Sequence, residues 1–312
     1  MQFTKWIFSA ICLFAMQAQA SAPKQTTGNP GYYRFSLGDF EVNVISDGTF
    51  ELPFHQLLTK ANPKEIKADF AKNFLGEKYQ NSLNAFLVNT GSKLVLIDTG
   101  AGTNFFPTTG KFHEHLKAAG YKPEQVDAVV ITHMHGDHIG GLIVDGKPVF
   151  KNATLYIGKG DIDYWLDKAQ MEKAPADMKK YFENAMNDVN PYIKSGQLKP
   201  LTADMEIVPG IHSIAAHGHT PGHTMYSAES NGQKIYFVGD MIHVAAVQFE
   251  KPTACLQFDA DQDMAQKERL KTFAEVAKEG ALIAGPHLPF PGVGHLRTEK
   301  KGYTFVPINY TR

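Results

Sequence analysis

The sequence predicts an α/β domain built as a layered sheet sandwich. Two observations carry this prediction: strand-like segments are concentrated in two parts of the chain, and helical segments follow each part. The 312 residues are 43% hydrophobic and 20% charged, a composition that supplies a sizeable core and excludes intrinsic disorder. Residues 30–312 contain neither an internal repeat nor a low-complexity linker, so we expect one domain over residues 21–312.

The first strand-rich part begins with the alternation of apolar and polar residues that is typical of β-strands. Residues 32–52 alternate around turn signals at 38–39 and 47–48, which predicts strands joined by a turn. Residues 84–98 repeat this pattern around 90–92 and predict a hairpin.

The spacing of apolar residues then changes to that of a helix. Residues 112–119 have helical spacing, and the imidazoles of His113 and His115 are expected on the solvated face. Residues 127–132 form an apolar run that predicts a buried strand. Residues 159–193 are expected to be mainly helical.

A second strand-rich part covers residues 205–243 and is followed by an amphipathic helix over 261–279. Arg269 belongs to a charged run that we expect on the solvated face of this helix. The last predicted strand covers residues 281–284. The apolar side of the helix is expected to consist of Met264, Leu270, Phe273 and Val276.

The charges are nearly balanced, with 31 Lys and Arg against 32 Asp and Glu and a formal net charge of -1. Such a chain has no overall electrostatic field that would attract nucleic acid or an anionic membrane. The sequence also lacks a run of Lys and Arg that would create a local basic patch. We therefore expect a small-molecule substrate and no nucleic-acid partner.

The first 20 residues are predicted to be a signal peptide. Lys5 precedes an apolar stretch at 6–16, and the small residues of 18–20 form a cleavage site. The apolar stretch is too short to span a bilayer comfortably, so no membrane association is expected after cleavage. The mature chain is then periplasmic or secreted, and it retains one thiol, Cys255, so it cannot form an intrachain disulfide.

Four potential metal ligands follow the predicted strand at 127–132. His133, His135, Asp137 and His138 fall within six positions, although the whole chain has only 13 His. Imidazole and carboxylate groups suit zinc, and a pair of ions is a common arrangement for assisted hydrolysis. Because a loop after a strand can curl, these side chains can point in two directions, which suits two metal ions better than one.

The pattern H-x-H-x-D-H after a buried strand resembles the metallo-β-lactamase fold superfamily. This resemblance implies an αβ/βα four-layer sandwich and a hydrolase. It also implies further ligands after later strands: Asp240 as a bridge, His287 near the C-terminus, and a histidine in the cluster 217–223. We choose His219 in that cluster, and His223 remains the alternative.

The resemblance implies two divalent metal ions per chain, with zinc as the expected ion, and a hydroxide between them as the nucleophile. Asp137 and Asp240 are the expected catalytic residues. Asp98 is expected to support a ligand through its carboxylate, although capping of the next turn is an alternative; His223 is expected to hold its loop by a hydrogen bond. In this ligand set, one ion takes His133, His135 and His219, the other takes Asp137, His138 and His287, and Asp240 bridges both.

A closer resemblance, to the methyl parathion hydrolase family and its lactonase relatives, covers nearly the whole mature chain. Five segments carry it: 121–127, 131–141, 217–224, 244–249 and 287–292. Members of that family are secreted or periplasmic dimers that cleave phosphotriesters, and their relatives open lactones and aryl esters. The resemblance therefore implies a homodimer and one of these hydrolytic activities.

Five residues are predicted to bind substrate. Phe105, Trp165 and Tyr181 correspond to the aromatic entrance of the phosphotriester-cleaving members and would stack on aryl groups. His243 stands where those enzymes are expected to have an aliphatic wall residue. Phe258 is bulkier than the residue expected at its position. Such a pair narrows the site around a tetrahedral phosphorus and still admits a flat lactone.

We therefore expect a metal-dependent hydrolase that opens lactones or cleaves aryl esters and has weak phosphotriesterase activity. A true organophosphate hydrolase is the main alternative, because the ligand motif alone does not separate carbon from phosphorus chemistry. A class B β-lactamase is another, although those enzymes lack a bridging Asp in the place of Asp240. A periplasmic zinc-binding protein without turnover is the non-enzymatic alternative.

Overall fold

The structure is a computed structural model that describes residues 22, 24, 28–102 and 105–310. The signal peptide predicted for residues 1–20 lies outside the described residues. Within the described ranges, no helix combines the length and the apolar content that crossing a membrane requires.

The described residues contain strands and helices throughout, as the sequence predicts. In chain order the strands are β1 (Tyr32–Leu37), β2 (Phe40–Leu52), β3 (Leu58–Thr59), β4 (Tyr79–Asn89), β5 (Leu94–Ile97), β6 (Ala128–Val130), β7 (Ile143–Val144), β8 (Lys147–Pro148), β9 (Thr154–Gly158), β10 (Leu198–Leu201), β11 (Met205–Val208), β12 (Ile211–Ala215), β13 (Thr224–Ser230), β14 (Gln233–Phe237), β15 (Cys255–Leu256), β16 (Leu282–Ala284), β17 (Val293–Thr298) and β18 (Tyr303–Pro307). The helices are α1 (Phe54–Leu57), α2 (Pro63–Lys72), α3 (Phe112–Ala118), α4 (Gly136–Ile139), α5 (Lys159–Trp165), α6 (Lys168–Lys173), α7 (Lys179–Lys194), α8 (Ala245–Gln248) and α9 (Gln262–Glu279).

Most strands belong to two mixed sheets, each with seven strands in the described part of the chain. The first sheet has the order β1-β2-β4-β5-β6-β9-β10, and the second has the order β11-β12-β13-β14-β16-β17-β18. In the first sheet β5, β6, β9 and β10 run parallel, so the C-terminal ends of these strands lie at one edge. In the second sheet β14 and β16 are also parallel.

The two sheets pack face to face, and helices cover their outer faces. On β4, Phe86 and Val88 face the core between the sheets, whereas Ala85 and Leu87 face a second core that includes residues of α3 and α7. A third core joins the outer face of the second sheet to α9. The expected αβ/βα four-layer sandwich is confirmed.

One predicted turn is instead a bulge. The segment at 47–48 lies inside β2, where the register of pairing with β4 shifts between Ser46 and Gly48. The Asp47 carboxylate accepts hydrogen bonds of 2.8–3.0 Å from the backbone N–H groups of Ala101, Gly110 and Phe112. Gly48 has φ +128° at this point, so the strand bends there and does not reverse.

Helix α3 is present where the sequence predicts it, but its two histidines do not lie on a solvated face. His113 Nε2 lies 3.0 Å from the Gly141 carbonyl, and His115 Nδ1 lies 2.6 Å from the Ser46 carbonyl. Both rings are partly buried, because α3 packs against β2 on one side and reaches the segment after α4 on the other.

Helix α9 also buries a different face from the predicted one. Phe273 and Val276 are buried as expected, but Met264 and Leu270 are 43% and 38% exposed. Arg269, expected in solvent, is 1% exposed, because backbone carbonyls beneath the helix accept its N–H groups. In addition, the strand predicted as the last one is followed by β17 and β18.

Candidate metal centre

The predicted ligands come together from both sheets of the sandwich. His133, His135, Asp137 and His138 follow β6 of the first sheet, with the latter two inside α4. The remaining ligands follow strands of the second sheet: His219 lies between β12 and β13, Asp240 after β14, and His287 after β16. Segments that directly follow strands thus carry the whole set.

One group of donor atoms surrounds the Oδ2 atom of Asp240. His133 Nε2 lies 3.5 Å from this oxygen, and His219 Nε2 lies 3.3 Å from it. His135 Nδ1 completes the group, 2.9 Å from His133 Nε2 and 3.2 Å from His219 Nε2. All four donors lie within 4.8 Å of one another.

A second group surrounds the other carboxylate oxygen of the same residue. His138 Nε2 and His287 Nε2 lie 3.3 Å and 3.1 Å from Asp240 Oδ1. Each of these two nitrogens is also 3.6 Å from Asp137 Oδ2. Asp240 therefore presents one oxygen to each group, the arrangement expected of a residue that bridges two metal ions.

The donor set fits divalent metal ions. Four ligands on a tetrahedral zinc ion, each about 2.0–2.1 Å from it, are themselves about 3.3 Å apart, and the contacts of the first group are 2.9–3.5 Å long. In the second group, His138 Nε2 and Asp240 Oδ1 are buried and form no hydrogen bond with any described residue. Buried polar atoms rarely lack a partner, and a bound ion would supply one.

The two histidines of the 217–223 cluster play different parts. His219 turns its Nε2 atom toward the donor group, as described above. In His223 both ring nitrogens contact the backbone: Nδ1 lies 2.9 Å from the Ala216 carbonyl, and Nε2 accepts a 3.0 Å hydrogen bond from the Asp240 N–H. The geometry therefore places His219 among the donors and makes His223 a support for the backbone at Asp240.

Asp98 contacts one of the predicted ligands directly. Its Oδ2 atom lies 2.9 Å from His138 Nδ1, the ring nitrogen on the far side from the donor group. The same carboxylate accepts hydrogen bonds of 2.7 and 2.8 Å from the N–H and the hydroxyl of Thr132. A carboxylate in this position fixes the ring orientation and tautomer of a metal-binding histidine.

Sequence reasoning missed two buried carboxylates that hold the ligand segments in place. Asp259 Oδ1 lies 2.8 Å from His219 Nδ1, so it holds this ring as Asp98 holds that of His138. Asp161 accepts 2.7 Å hydrogen bonds from the N–H groups of Met134 and Gly222, and so ties the two histidine loops together. The available signal for Asp259 was the rule that a ligand histidine needs a carboxylate or carbonyl partner.

The local electrostatics suit cation binding. Burial, together with neighbouring imidazoles, holds the pKa of His133 and that of His135 well below the ordinary value, so both rings are neutral at pH 7. Burial acts to raise the pKa of Asp240, but the imidazoles of His287 and His138 hold it well below its usual range. For His219 burial acts to lower the pKa, but hydrogen bonds with Asp240 and Asp259 raise it to about 9. Metal binding at His219 would therefore release a proton.

The donor groups form the floor of a cavity of about 430 Å³. Its wall includes all five predicted substrate-binding residues: Phe105, Trp165, Tyr181, His243 and Phe258. Tyr181 and Phe258 stand at the rim, 47% and 42% exposed, whereas Trp165 is 4% exposed. Phe50, Leu52, Phe54, Phe106 and Met178 complete the apolar part of the wall.

His243 lies directly beside the donor groups. Its Nε2 atom is 2.9 Å from Asp240 Oδ2, and its ring stacks on that of His287 at a centroid distance of 4.8 Å. Burial holds the pKa of His243 at about 4, although Asp240 acts to raise it. His243 is therefore a polar neighbour of the donor groups as well as a part of the wall.

Basic side chains are absent from the described lining of this cavity. The polar residues that line it are the donors His135, Asp137, His219, Asp240 and His287, together with His243 and Gln257. Neither Lys nor Arg is among the described residues that line it.

Comparison with known proteins agrees with this architecture. Residues 80–276 match the model of the metallo-beta-lactamase superfamily. An N-acyl homoserine lactonase of a Bacillus sp. is 23% identical over 231 residues, which cover 68% of this chain and 83% of that protein. A lactonase of the same name from Bacillus cereus is 26% identical over 172 residues, and the match spans 60% of its length.

Two solved structures are similar over nearly their full length. Hydrolase AbOPH of the beta-lactamase superfamily is 36% identical with a TM-score of 0.85, and the match covers 92% of this chain and 100% of AbOPH. AidC, a dizinc quorum-quenching lactonase solved with a product, N-hexanoyl-L-homoserine, is 27% identical with a TM-score of 0.83, over 90% of this chain and 99% of AidC. The chain therefore belongs to the metallo-beta-lactamase superfamily, as a hydrolase related to the quorum-quenching lactonases.

Proposed function

We propose that this protein is a hydrolase that holds two divalent metal ions, expected to be zinc, and opens lactones or cleaves aryl esters. One observation carries the proposal: Asp240 presents its two oxygens to two separate donor groups at the floor of an apolar cavity. A site for two ions beside an open, apolar cavity is the arrangement of a catalytic centre, because a purely structural metal site has all its positions closed. This favours an enzyme over a zinc-binding protein without turnover.

The ligand assignment follows the two donor groups. When bound there, divalent ions provide a water molecule that ionises near neutral pH and polarise the oxygen of the scissile bond. Asp240 links the two halves of the centre and keeps them at a fixed separation. Asp137 borders the cavity, and we assign its carboxylate the role of orienting the attacking water and accepting its proton. One ion would take His133, His135 and His219, and the other Asp137, His138 and His287.

The reaction is an addition of water across an ester bond. The oxygen of water forms a bond to the acyl carbon, and the bond from that carbon to the ring or aryl oxygen breaks. One proton of water goes to the departing oxygen, and the products are a hydroxy acid from a lactone, or an acid and a phenol from an aryl ester.

The cavity lining favours an uncharged substrate. A β-lactam antibiotic or a glutathione thioester carries a carboxylate, and recognition of a carboxylate commonly uses Arg or Lys. The absence of both from the described lining speaks against these substrates. Lactones, aryl esters and phosphotriesters are neutral, and aromatic or acyl parts of such molecules can contact Phe105, Trp165 and Tyr181.

Phosphotriester cleavage is the second candidate, since a phosphotriester is also an uncharged substrate. His243 and Phe258 favour the lactone. The His243 ring lies 2.9 Å from Asp240 and so takes up space directly beside the donor groups. A planar lactone carbonyl needs less room there than a phosphorus atom with three substituents.

A paired initial-rate assay tests the proposal. The zinc-loaded protein is given an aryl lactone and a dimethyl aryl phosphotriester, each with and without a chelator. Lactone turnover that exceeds phosphotriester turnover and disappears with the chelator is the expected result. Faster phosphotriester turnover would favour the second candidate, and turnover of either substrate that a chelator leaves unchanged would refute the proposed centre.

We also propose a compartment and an assembly for this protein. The sequence of residues 1–20 supports export to the periplasm or the medium, and the family resemblance supports a homodimer. Cell fractionation and a mass measurement in solution test the two points separately.

A further inference from the structure

Arg269 places a buried guanidinium group beneath the metal centre. It lies on α9 and is 1% exposed. Its Nε atom donates to the Met241 carbonyl, and its Nη1 atom donates to the carbonyls of Pro252 and Ala254 at 3.2 and 2.7 Å. Its Nη2 atom lies 3.8 Å from Asp259 Oδ2. Burying a charge costs free energy unless the charge is paired and hydrogen-bonded. These contacts offset that cost, and the segments that they hold indicate what the buried guanidinium group does.

The first contact holds the turn that carries Asp240. Met241 follows Asp240 directly, and both residues lie in the short 3-10 turn Gly239–Met241. His223 holds the N–H side of Asp240, as described above, and Arg269 holds the carbonyl of the next residue. Together, these two contacts fix the turn from which Asp240 presents its carboxylate oxygens to the two donor groups.

The second contact reaches a ligand histidine through a carboxylate. Asp259 lies between Arg269 and His219, 2.8 Å from the His219 ring, and its Oδ2 atom also accepts a 2.9 Å hydrogen bond from the Leu256 N–H. The guanidinium charge favours the ionised carboxylate, and this carboxylate fixes the His219 ring so that its Nε2 atom faces the donor group.

Among the described residues, no Lys or Arg pairs with Asp98, the carboxylate that holds a histidine of the other ligand set. Asp98 holds His138, but the partners of Asp98 are the N–H and the hydroxyl of Thr132. Two of the Arg269 contacts lead to the centre, one through Asp259 to His219 and one through the Met241 carbonyl to the Asp240 turn. The others hold the carbonyls of Pro252 and Ala254.

We propose that Arg269 is a positioning residue of the metal centre, which holds His219 through Asp259 and Asp240 through the Met241 carbonyl. This inference rests on the proposed function, since it assumes that these residues bind metal. It predicts that loss of the Arg269 contacts weakens the ion at His133, His135 and His219 more than the other ion.

Three variants of the full chain test this inference. Arg269→Lys keeps the charge but loses the planar fork that reaches several carbonyls at once. Asp259→Asn keeps the shape and removes the charge next to His219. Lys271→Met is the matched control, because Lys271 lies on the same helix with 60% of its side chain exposed. If Arg269→Lys does not fold, the double variant Arg269→Gln/Asp259→Asn replaces it and leaves neither buried charge unpaired.

Zinc is titrated into each protein in competition with a chromogenic chelator, which yields a dissociation constant for each of two ions. The visible spectrum of the cobalt-loaded protein reports the ligand geometry, and thermal unfolding of the zinc-free protein reports the fold. We expect the Arg269 and Asp259 variants to bind one ion about 10- to 100-fold more weakly and to change the cobalt spectrum. The second ion should weaken less than the first, and both ions of Lys271→Met should bind as in the wild type.

Two results would overturn the inference. One is that zinc affinities remain unchanged in the Arg269 and Asp259 variants. The other is that both ions weaken equally while the zinc-free protein loses stability, which is the signature of a merely structural residue. A wild-type chain that binds no zinc would contradict the proposed function instead, and the two failures are therefore distinguishable.

Discussion

The His223 ring accepts a 3.0 Å hydrogen bond at Nε2 from the backbone N–H of Asp240. With Nδ1 at 2.9 Å from the Ala216 carbonyl, both of its ring nitrogens are engaged by the backbone. His219 instead directs Nε2 into the donor group. These contacts separate two histidines of one short loop into a ligand and a support.

Replacement of His219 should therefore cost more metal than replacement of His223. We expect His219→Ala to lose about one of two zinc ions, because two histidines and the carboxylate shared with the other ion then replace three histidines and that carboxylate. Bound zinc after gel filtration is the measurement. His217→Ala is the control, since His217 is exposed in the same loop. Greater zinc loss from His223→Ala than from His219→Ala would reverse the assignment.

Asp98→Asn should weaken the ion on the opposite side of the centre. Asp98 has φ +59°, a conformation that Asn adopts as readily as Asp, so the backbone should be preserved. The variant loses the charge that holds His138, and we expect the ion at Asp137, His138 and His287 to bind about 10- to 100-fold more weakly. Chelator competition measures this constant, and equal weakening of both ions would contradict the assignment of Asp98 to His138.

His243→Leu should shift the balance of activities toward phosphotriesters. The substitution removes a polar ring 2.9 Å from Asp240 Oδ2 and widens the cavity beside the donor groups. We expect the ratio of phosphotriester to lactone kcat/KM to rise about tenfold, which corresponds to ~1.4 kcal/mol of transition-state stabilisation.

Both rates for this variant are measured at saturating zinc, so that a change in metal affinity does not enter the ratio. Phe258→Leu, at the rim, should act in the same direction with a smaller effect. A ratio that stays at the wild-type value in His243→Leu would remove the argument that this residue selects lactones.

Asp188 makes folding stability depend on pH. It lies in α7 beside a second cavity that His113 and Asp145 also line, and burial raises its pKa from 3.8 to about 7. The Asp188 carboxyl group therefore binds its proton more tightly in the folded state than in the unfolded state. Its contribution to the free energy of unfolding is fully present below pH 3.8 and is lost as the pH rises through 7.

Asp188→Asn should remove that loss. We expect the free energy of unfolding of the variant to match that of the wild type near pH 4 and to exceed it by about 1–3 kcal/mol at pH 8. This range follows from a pKa shift of about three units, with its energy reduced because Asp188 is partly exposed to solvent. Urea unfolding at both pH values is the measurement, with the exposed Asp177→Asn as control. An equal difference at both pH values would show that the carboxyl charge is not the cause.

Much of the fold and the core of the site could be predicted from short-range patterns. The hairpins at β1–β2 and β4–β5 have local turn signals, and His133, His135, Asp137 and His138 lie next to one another after an apolar strand. Such features depend on a few neighbouring residues, so the sequence displays them directly. His219, Asp240 and His287 needed the family resemblance, because they are distant in sequence.

The features that the sequence does not display depend on contacts between distant segments. Asp259 and Asp161 are ordinary acidic residues until folding places His219 and the N–H groups of Met134 and Gly222 beside them. Arg269 looks like a residue of a solvated helix face, since helical periodicity does not reveal the carbonyls beneath it. The bulge at Asp47 was misjudged for the same reason: its partners are the amides of a segment more than 50 residues away.

The origin of the donors in both sheets makes the centre a cross-link. The first donor group combines two histidines that follow β6 with His219, and the second combines Asp137 and His138 with His287. Either sheet alone would supply only part of each group, so full affinity for metal arises only when the sandwich is assembled. The described residues hold one cysteine, Cys255, which is free. If the protein binds metal and is exported, as we propose, ions shared between the sheets would cross-link them as disulfides do in other exported proteins. Metal supply would then limit the lifetime of the folded protein as well as the rate of its reaction.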